Sequence, residues 1–194
     1  MRIVIAPDSF KESASARQIA EAMEKGVRRF LADAEITAIP MADGGEGTCE
    51  AFFQANDARW VECSVSGPLC ENIKAKYVIS IDNRIAVIEM AAASGLALLR
   101  PAERDPMVTT TRGVGELMDD ALDKGVEKII IGVGGSATND GGAGMAQALG
   151  ISLLDSKGRE LPPGGQHLLK LDKIDMSGRH PRLDQCEILA ACDV

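Results

Sequence analysis

Residues 132–144, GVGGSATNDGGAG, are the most informative stretch of the chain. They directly follow the apolar run Ile129–Ile131 and precede a segment with helical periodicity. Glycines let backbone N–H groups approach an oxyanion, and a helix that begins there adds unpaired N–H donors and the positive end of its dipole. The hydroxyl, amide and carboxylate side chains between the glycines favour an anion site over a simple tight turn. The stretch predicts a strand, a loop that binds phosphate or carboxylate, and a helix.

The same order of strand, polar loop and helix occurs earlier in the chain. Arg2–Ala6 predicts a buried strand, and Ser15 with Gln18 forms a capping box at the start of an amphipathic helix. Residues 35–39 predict a second strand, and the glycine turn 43–48 opens a second helix. Alternating strands and helices predict an α/β fold with a parallel sheet and crossover helices.

Residues 60–107 differ from the rest of the chain. They contain three runs rich in β-branched residues, the last two joined by a short polar turn in the manner of a hairpin. The runs are residues 61–66, 73–81 and 85–90. We expect 60–107 to form a β-rich inserted or edge subregion, with residues 1–59 and 108–194 making up the α/β portion.

Composition limits the kinds of partner. The chain has 194 residues, a formal charge of -8 and 3% aromatic residues, which argues against nucleic acid or an anionic membrane surface as the main partner. No apolar run reaches the roughly 18 residues of a membrane span, and no signal peptide pattern opens the chain, so we expect a cytoplasmic protein. The five cysteines are scattered without CxxC spacing, which favours idle thiols over a metal site.

Acidic residues follow several of the predicted strand ends, where open α/β sheets bind their ligands. These residues are Asp8, Asp43, Asp140 and Asp193. Such carboxylates could hold Mg2+ beside a phosphate or accept a proton from a hydroxyl nucleophile, and Lys11 could neutralise an anion. Asp8 and Asp43 could equally cap the helices that follow them. The pattern alone leaves these roles open.

A dinucleotide site is the alternative from another class of enzyme. Gly132, Gly134 and Ala137 form G-x-G-x-x-A after a strand, and Asp155 follows the next predicted strand at the position of a ribose-binding acid. This arrangement would suit an NAD-linked oxidoreductase. It leaves the acids at Asp8 and Asp43 unexplained, and the Walker and protein-kinase motifs are both lacking in the sequence.

Six blocks of sequence carry a family resemblance. They are MRIVIAPDSFKES at 1–13, PMADGGEGT at 40–48, IEMAAASGL at 88–96, TTTRGVGEL at 109–117, GVGGSATNDGGAGMAQALG at 132–150 and ACDV at 191–194. Together they resemble the bacterial glycerate kinases of glucarate, galactarate and glyoxylate catabolism. The resemblance implies ATP-dependent phosphorylation of D-glycerate to 2-phosphoglycerate with Mg2+. It also implies a two-domain fold, with one Rossmann- or flavodoxin-like domain and one smaller α/β domain.

The positions of these residues, together with the reaction that the resemblance implies, give their expected roles. We expect catalysis from Asp8, Lys11, Asp43 and Asp193, and metal binding from Asp43 and Asp140. Nucleotide contacts are expected from Gly44, Gly45, Gly134, Gly135, Ser136, Thr138 and Asn139. Substrate contacts are expected from Ser9, Glu46, Ser94 and Arg112. Glu89 and Ser94 could reach the substrate from a turn, although the small residues around them equally suit close helix packing, and the threonines before Arg112 could simply cap a helix.

The resemblance covers the whole chain but only the amino-terminal half of the family pattern. Family members continue past the block that matches residues 191–194 into further glycine-rich segments. We therefore expect an incomplete two-domain fold without the carboxyl-terminal half, and a non-catalytic fragment of a kinase remains a third hypothesis. An uncovered sheet edge in such a fold would favour self-association.

Overall fold

A computed structural model describes residues 1–10 and 13–192 of the chain. Within these ranges it contains nine strands, five α-helices and four short 3-10 helices. The strands are β1 (Arg2–Ile5), β2 (Glu35–Ala38), β3 (Ala58–Ser66), β4 (Asn72–Ser80), β5 (Ile85–Glu89), β6 (Lys128–Gly132), β7 (Ser152–Leu154), β8 (Lys173–Asp175) and β9 (Glu187–Ala191). The helices are α1 (Ala16–Phe30), α2 (Thr48–Ala55), α3 (Ala91–Ser94), α4 (Arg112–Asp123) and α5 (Ala143–Ala148). The 3-10 helices span Leu96–Leu98, Pro101–Glu103, Gly165–Lys170 and Pro181–Gln185.

The central sheet has the strand order β3-β4-β5-β6-β9. Strands β5, β6 and β9 are parallel, and β3 and β4 extend the sheet as antiparallel strands. The α/β class with a parallel-rich sheet is confirmed, and so is the antiparallel hairpin β4–β5. Strands β3 and β4 lie at one edge of this sheet. The division of the chain into domains stays a prediction.

Two small sheets lie outside the central one. Strands β1 and β2 pair with each other in parallel, and β7 pairs with β8 in antiparallel fashion. The first glycine loop therefore follows a strand pair that is separate from the central sheet of the described residues. Most residues of β1 and β2 are exposed or half-buried, so this pair contributes little to the core.

Helices cover both faces of the central sheet because its strands alternate apolar residues between the faces. Tyr77, Ile79 and Ile88 belong to the main core together with the apolar residues of α4. Val78 and Val87 point to the opposite face and pack with Cys49 and its neighbours in α2. The capping box at the start of α1 is also confirmed, since Ser15 and Gln18 exchange hydrogen bonds. No helix in residues 1–10 and 13–192 is long and apolar enough to cross a membrane.

A half-buried polar cluster joins α4 to the central sheet. The Tyr77 hydroxyl donates to Asp120 Oδ2 over 2.7 Å, and the Cys63 thiol donates to the same oxygen over 3.2 Å. Lys124 Nζ lies 2.5 Å from the other oxygen of Asp120. Burial, reinforced by the Asp120 carboxylate, raises the pKa of Cys63 to about 11. The thiol and the phenol are therefore neutral donors to one ionised carboxylate.

Replacing Tyr77 by phenylalanine removes one donor from this carboxylate without changing the packing of the ring. A hydrogen bond to a charged group contributes about 1.5–3 kcal/mol, so we expect Tyr77→Phe to lower the free energy of unfolding by about 2 kcal/mol. Urea denaturation followed by circular dichroism measures the change. Cys63→Ser, which keeps a hydroxyl donor near Asp120, should cost less. Equal stability of Tyr77→Phe and the wild type would show that this hydrogen bond does not contribute to the free energy of unfolding.

Candidate active site at the carboxyl ends of the parallel strands

A cavity of about 540 Å³ lies just beyond the carboxyl ends of β5, β6 and β9. This is where parallel sheets bind ligands, because the loops that follow the strands converge there. Its polar lining comes from Ser9, Asp43, Gly45, Glu46, Glu89, Gly134, Gly135 and Cys192, and its apolar lining from Ala91, Ala92, Leu96, Ala97, Val133 and Ala191. The cavity thus brings together both glycine loops that the sequence singled out.

The two glycine loops contact each other through their backbones. Gly134 N donates to Gly44 O over 3.1 Å, and Val133 N donates to Ala191 O over 3.3 Å. A Cβ atom on Gly134 would lie 2.5 Å from Gly45 Cα, and one on Gly132 would lie 2.5 Å from Gly44 O. Atoms cannot approach that closely, so the absence of side chains is what lets the first loop rest on the end of the sheet.

Three of the predicted acidic or hydroxyl residues enter the cavity. They are Ser9, Asp43 and Glu46. Asp43 is half-buried, and its Oδ1 accepts a hydrogen bond from Gly45 N over 3.0 Å. Asp8 lies next to Ser9 but is not part of the lining, and its Oδ1 accepts a hydrogen bond from the N–H of Ser9 over 2.6 Å. Lys11 and Asp193 lie outside the described residues.

Asp140 lies apart from the cavity and is 1% exposed. Its carboxylate accepts hydrogen bonds from the N–H groups of Thr111, Gly142 and Gly144 at 2.9–3.1 Å. The hydroxyls of Thr110 and Thr111 complete the set at 3.0–3.3 Å. These contacts join the start of α5 to the segment that precedes α4. They are the contacts of a structural carboxylate, and metal binding by Asp140 stays a prediction.

Several other predicted residues do not line the cavity. Ser136 and Thr138 contact each other through their hydroxyls at 2.8 Å, and Asn139 is exposed. Gly44 is buried against Ala191. Of the expected nucleotide-binding residues, only Gly45, Gly134 and Gly135 line the cavity.

Two predicted substrate residues have partners elsewhere. Ser94 is fully buried, and its hydroxyl donates to Thr110 O over 3.0 Å. Arg112 Nε lies 3.1 Å from Glu116 Oε1, and Arg112 lines a separate surface depression beside α5. Neither residue belongs to the cavity lining. Their substrate roles stay predictions.

The dinucleotide alternative lacks its ribose-binding acid. Asp155 follows β7, but β7 pairs with β8 and is not a strand of the central parallel sheet. Its carboxylate binds Arg159 at 2.7 and 2.9 Å and accepts the N–H groups of Lys157 and Arg159 within a turn. These bonds, led by the side chain of Arg159, lower the pKa of Asp155 to about 2. The residue therefore stabilises its own turn.

Glu89, which the sequence offered only as a possible substrate contact, is a third acidic residue of the cavity lining. It ends β5, and its Oε1 accepts hydrogen bonds from Gly47 N at 3.0 Å and Cys49 N at 2.8 Å. Burial raises the pKa of Glu89, although the N–H groups of Cys49 and Gly47 oppose that shift. A signal for it exists in the sequence, because an acid follows a buried apolar run here just as Asp8 and Asp43 follow theirs.

The cavity is acidic. Asp43, Glu46 and Glu89 contribute carboxylates, and no lysine or arginine of the described residues belongs to its lining. No group of three or more metal-binding side chains close enough to hold an ion occurs in residues 1–10 and 13–192. A hard cation bound here would therefore need further oxygen ligands from a bound molecule, as Mg2+ commonly does with phosphates.

These features define an α/β protein with a ligand cavity at the carboxyl ends of its parallel strands. A family model, the glycerate kinase family, matches residues 3–194, and the chain belongs to that family. It is 55% identical to glycerate 2-kinase of Escherichia coli K12 and 54% identical to glycerate kinase of Bacillus subtilis 168, over all 194 residues in each case. The chain covers 51% of each of these relatives, so it spans about half their length.

A solved structure gives the same result. The crystal structure of a protein from Salmonella typhimurium LT2, assigned as glycerate kinase 2, is similar to this chain, with 56% sequence identity and a TM-score of 0.84. The match covers 100% of this chain and 53% of that one. The predicted family and the match to the amino-terminal half of its pattern are thereby confirmed.

The backbone contact between the glycine loops can be tested by adding one methyl group. Gly134→Ala places a Cβ 2.5 Å from Gly45 Cα and 3.1 Å from Gly45 N, so the loops must separate. We expect it to lower the free energy of unfolding by about 1–3 kcal/mol, as overpacking does. Thermal or urea unfolding measures this.

Gly26→Ala is the matched control. Gly26 lies inside α1, and a Cβ there would meet nothing within 4 Å. Alanine is the better helix former by about 0.5–1 kcal/mol, so this variant should be more stable than the wild type. A Gly134→Ala protein as stable as Gly26→Ala would show that the loops do not need their close approach.

Proposed function

We propose that this chain contributes the phosphate- and substrate-binding cavity of a kinase that transfers a phosphoryl group from ATP to D-glycerate. The expected product is 2-phosphoglycerate, with Mg2+ as the metal cofactor. Family membership supports the reaction class, because several relatives are named glycerate kinase. The observation that carries the proposal is the cavity itself, where Asp43 and the backbone of Gly134–Gly135 meet beyond β5 and β6.

The loop 134–135 suits a phosphate group. Gly135 is exposed and has a positive φ of 71°, so its own N–H can face an anion without interference from a side chain, whereas the N–H of Gly134 already donates to Gly44 O. Phosphoryl transfer depends mainly on positioning and on stabilising negative charge. The backbone of this loop would supply the positioning of the nucleotide phosphates.

Asp43 is the best placed acid for the chemistry. It lines the cavity, and its Oδ1 accepts only a short-range hydrogen bond from Gly45 N among the described contacts. The carboxylate could accept the proton of the attacking glycerate hydroxyl, or it could be a ligand of Mg2+. Mg2+ supplies charge neutralisation on the phosphates when it is bound. Glu46 lies in the same loop and adds a second carboxylate to the cavity mouth.

A kinase of this kind would act in the cytoplasm, where ATP is available, with a small organic acid and a nucleotide as its ligands. Strand β9 is an edge strand of the described sheet, and Ile188 and Leu189 are 42% and 40% exposed. Pairing of this edge with another chain stays a prediction.

Ligand binding separates the kinase hypothesis from the dinucleotide one. Cys192 lines the cavity and is exposed, whereas Cys70 is exposed but lies outside the lining. A thiol reagent with peptide mass analysis reports on both residues in one sample. We expect Mg-ATP with D-glycerate to slow the labelling of Cys192 and to leave that of Cys70 unchanged. Protection by NAD without metal would favour the oxidoreductase instead.

Turnover is the direct test of the proposed reaction. The full product of the gene that encodes this chain is assayed for ADP release with D-glycerate and Mg-ATP, and the phosphorylated product is identified by its chromatographic mobility against 2- and 3-phosphoglycerate. We expect release that depends on glycerate and on Mg2+, and a product phosphorylated at position 2. ADP release without glycerate, or a 3-phosphoglycerate product, would contradict the proposal in its stated form.

Asp43→Asn tests the acid within that reaction. The amide keeps an oxygen that can accept the Gly45 N–H but removes the charge, so folding should be retained. We expect kcat to fall by about 100-fold or more, which is typical of losing a general base or a metal ligand. Asp33→Asn is the control, since Asp33 is an exposed acid outside the cavity lining. Near-normal kcat in Asp43→Asn would remove Asp43 from the reaction, and a loss of stability without loss of kcat would assign it a capping role.

A further inference from the structure

The start of α2 lacks a cap of its own. Its N-cap residue is Gly47, which has no side chain and adopts a left-handed φ of 98°. The first N–H groups of a helix need acceptors from outside it, and a side chain at the N-cap usually provides one. Here the acceptor comes from another element about 40 residues away in the sequence. Glu89 Oε1 takes the N–H groups of both Gly47 and Cys49, at 3.0 and 2.8 Å.

Glu89 is itself held firmly. It is the last residue of β5 and is paired with Gly132 of β6 in the parallel register. The next residue continues this attachment, because Met90 N donates to Gly132 O over 2.8 Å. The Glu89 carboxylate therefore connects the rigid end of the central sheet to the start of α2. A negative charge in that position also interacts favourably with the helix dipole.

The loop 43–47 is thus held at two points. At its upstream end Gly44 O accepts the N–H of Gly134, and at its downstream end Gly47 N donates to Glu89. Asp43 directly precedes the first of these points and Glu46 directly precedes the second, and both contribute carboxylates to the cavity. The remaining hydrogen bonds of the loop are local. Gly45 N donates to Asp43, the N–H and the hydroxyl of Thr48 both donate to Gly45 O, and Ala51 N donates to Gly47 O.

We propose that Glu89 is a positioning residue of the site, whose carboxylate anchors the start of α2 to the end of β5 and thereby fixes Asp43 and Glu46 in the cavity. The inference rests on the proposed function for its kinetic consequence. Glu89 acts through the two backbone N–H groups and takes no part in bond making or breaking. A misplacement of catalytic groups by about 1 Å can lower the rate by about 100-fold, so the anchor matters to the reaction.

Three substitutions separate anchoring from chemistry at this residue. Glu89→Gln keeps an oxygen acceptor at the same length of side chain but removes the negative charge. Glu89→Asp keeps the charge but shortens the side chain by one methylene, so the two N–H groups lose their acceptor. Glu89→Ala removes both. If Glu89 is an anchor, the glutamine variant should keep the structure of the loop and the activity, whereas the aspartate and alanine variants should lose both. If Glu89 is a general base or a metal ligand, the glutamine variant should be inactive.

Hydrogen exchange of the ligand-free protein measures the anchor independently of any activity. We expect the amides of Gly47 and Cys49 to exchange about tenfold faster or more in Glu89→Ala and Glu89→Asp, and near the wild-type rate in Glu89→Gln. Glu116→Ala is the matched control. Glu116 also accepts a backbone N–H, that of Ser66 at 2.6 Å, but lies outside the cavity lining. Its loss should accelerate exchange at Ser66 and leave Gly47 and Cys49 unchanged.

Kinetics of the full gene product with D-glycerate and Mg-ATP then test the consequence. We expect kcat to fall about 10- to 100-fold in Glu89→Asp and Glu89→Ala with little change in the KM for ATP, and glutamine to restore kcat to within about threefold of the wild type. If Glu89→Ala does not fold, the kinetics of Glu89→Asp decide between the two roles, and its melting temperature shows whether that variant is folded. A glutamine variant as slow as the alanine variant would overturn the proposal, as would unchanged amide exchange in the aspartate variant. A wild type inactive towards glycerate would refute the proposed reaction, while the exchange result would still decide whether Glu89 is an anchor.

Discussion

The direct contact of two backbones determines the shape of the candidate site. Gly44 and Gly45 lie against Gly132 and Gly134 so closely that a Cβ on Gly134 would meet Gly45 Cα at 2.5 Å. With no side chains between them, the loop after β2 is seated on the carboxyl end of β6, although β2 itself belongs to a separate sheet. The acidic side chains of that loop are thereby carried to the sheet end. The cavity is the space that this contact leaves beside β5 and β9.

Two internal carboxylates complete this arrangement. Asp140 takes N–H groups at the start of α5, and Glu89 takes those at the start of α2. A glycine loop before a helix usually indicates an anion site at the helix terminus, because that end has unpaired donors and a positive dipole. In this protein, the carboxylates of Asp140 and Glu89 already accept the N–H groups at the starts of α5 and α2. An external phosphate would therefore rely on the loop backbone at Gly135, which lines the cavity, more than on either helix terminus.

The sequence predicts the local features and misses those that depend on distant partners. Alternating β-branched runs identified the β4–β5 hairpin, and the Ser15–Gln18 pair identified the start of α1, because neighbouring residues specify both. The buried position of Asp140 could not be predicted from its neighbours in the sequence, because its partners Thr110 and Thr111 lie about 30 residues earlier. Glu89 is similar, with its partners about 40 residues away. An aspartate in a glycine loop looks the same whether it faces a ligand or a buried helix start.

The charge of the cavity constrains how anionic substrates could bind. Two like charges 4 Å apart repel each other by about 4 kcal/mol at an effective dielectric constant of 20, so a carboxylate or phosphate beside Asp43, Glu46 and Glu89 would be strongly disfavoured by itself. Burial raises the pKa of Glu89, which is only one of the three carboxylates. The backbone N–H groups of the glycine loop provide partial charges. In the proposed reaction, a divalent cation that arrives with the nucleotide would offset the remaining repulsion, so the binding of an anionic substrate would depend on the metal.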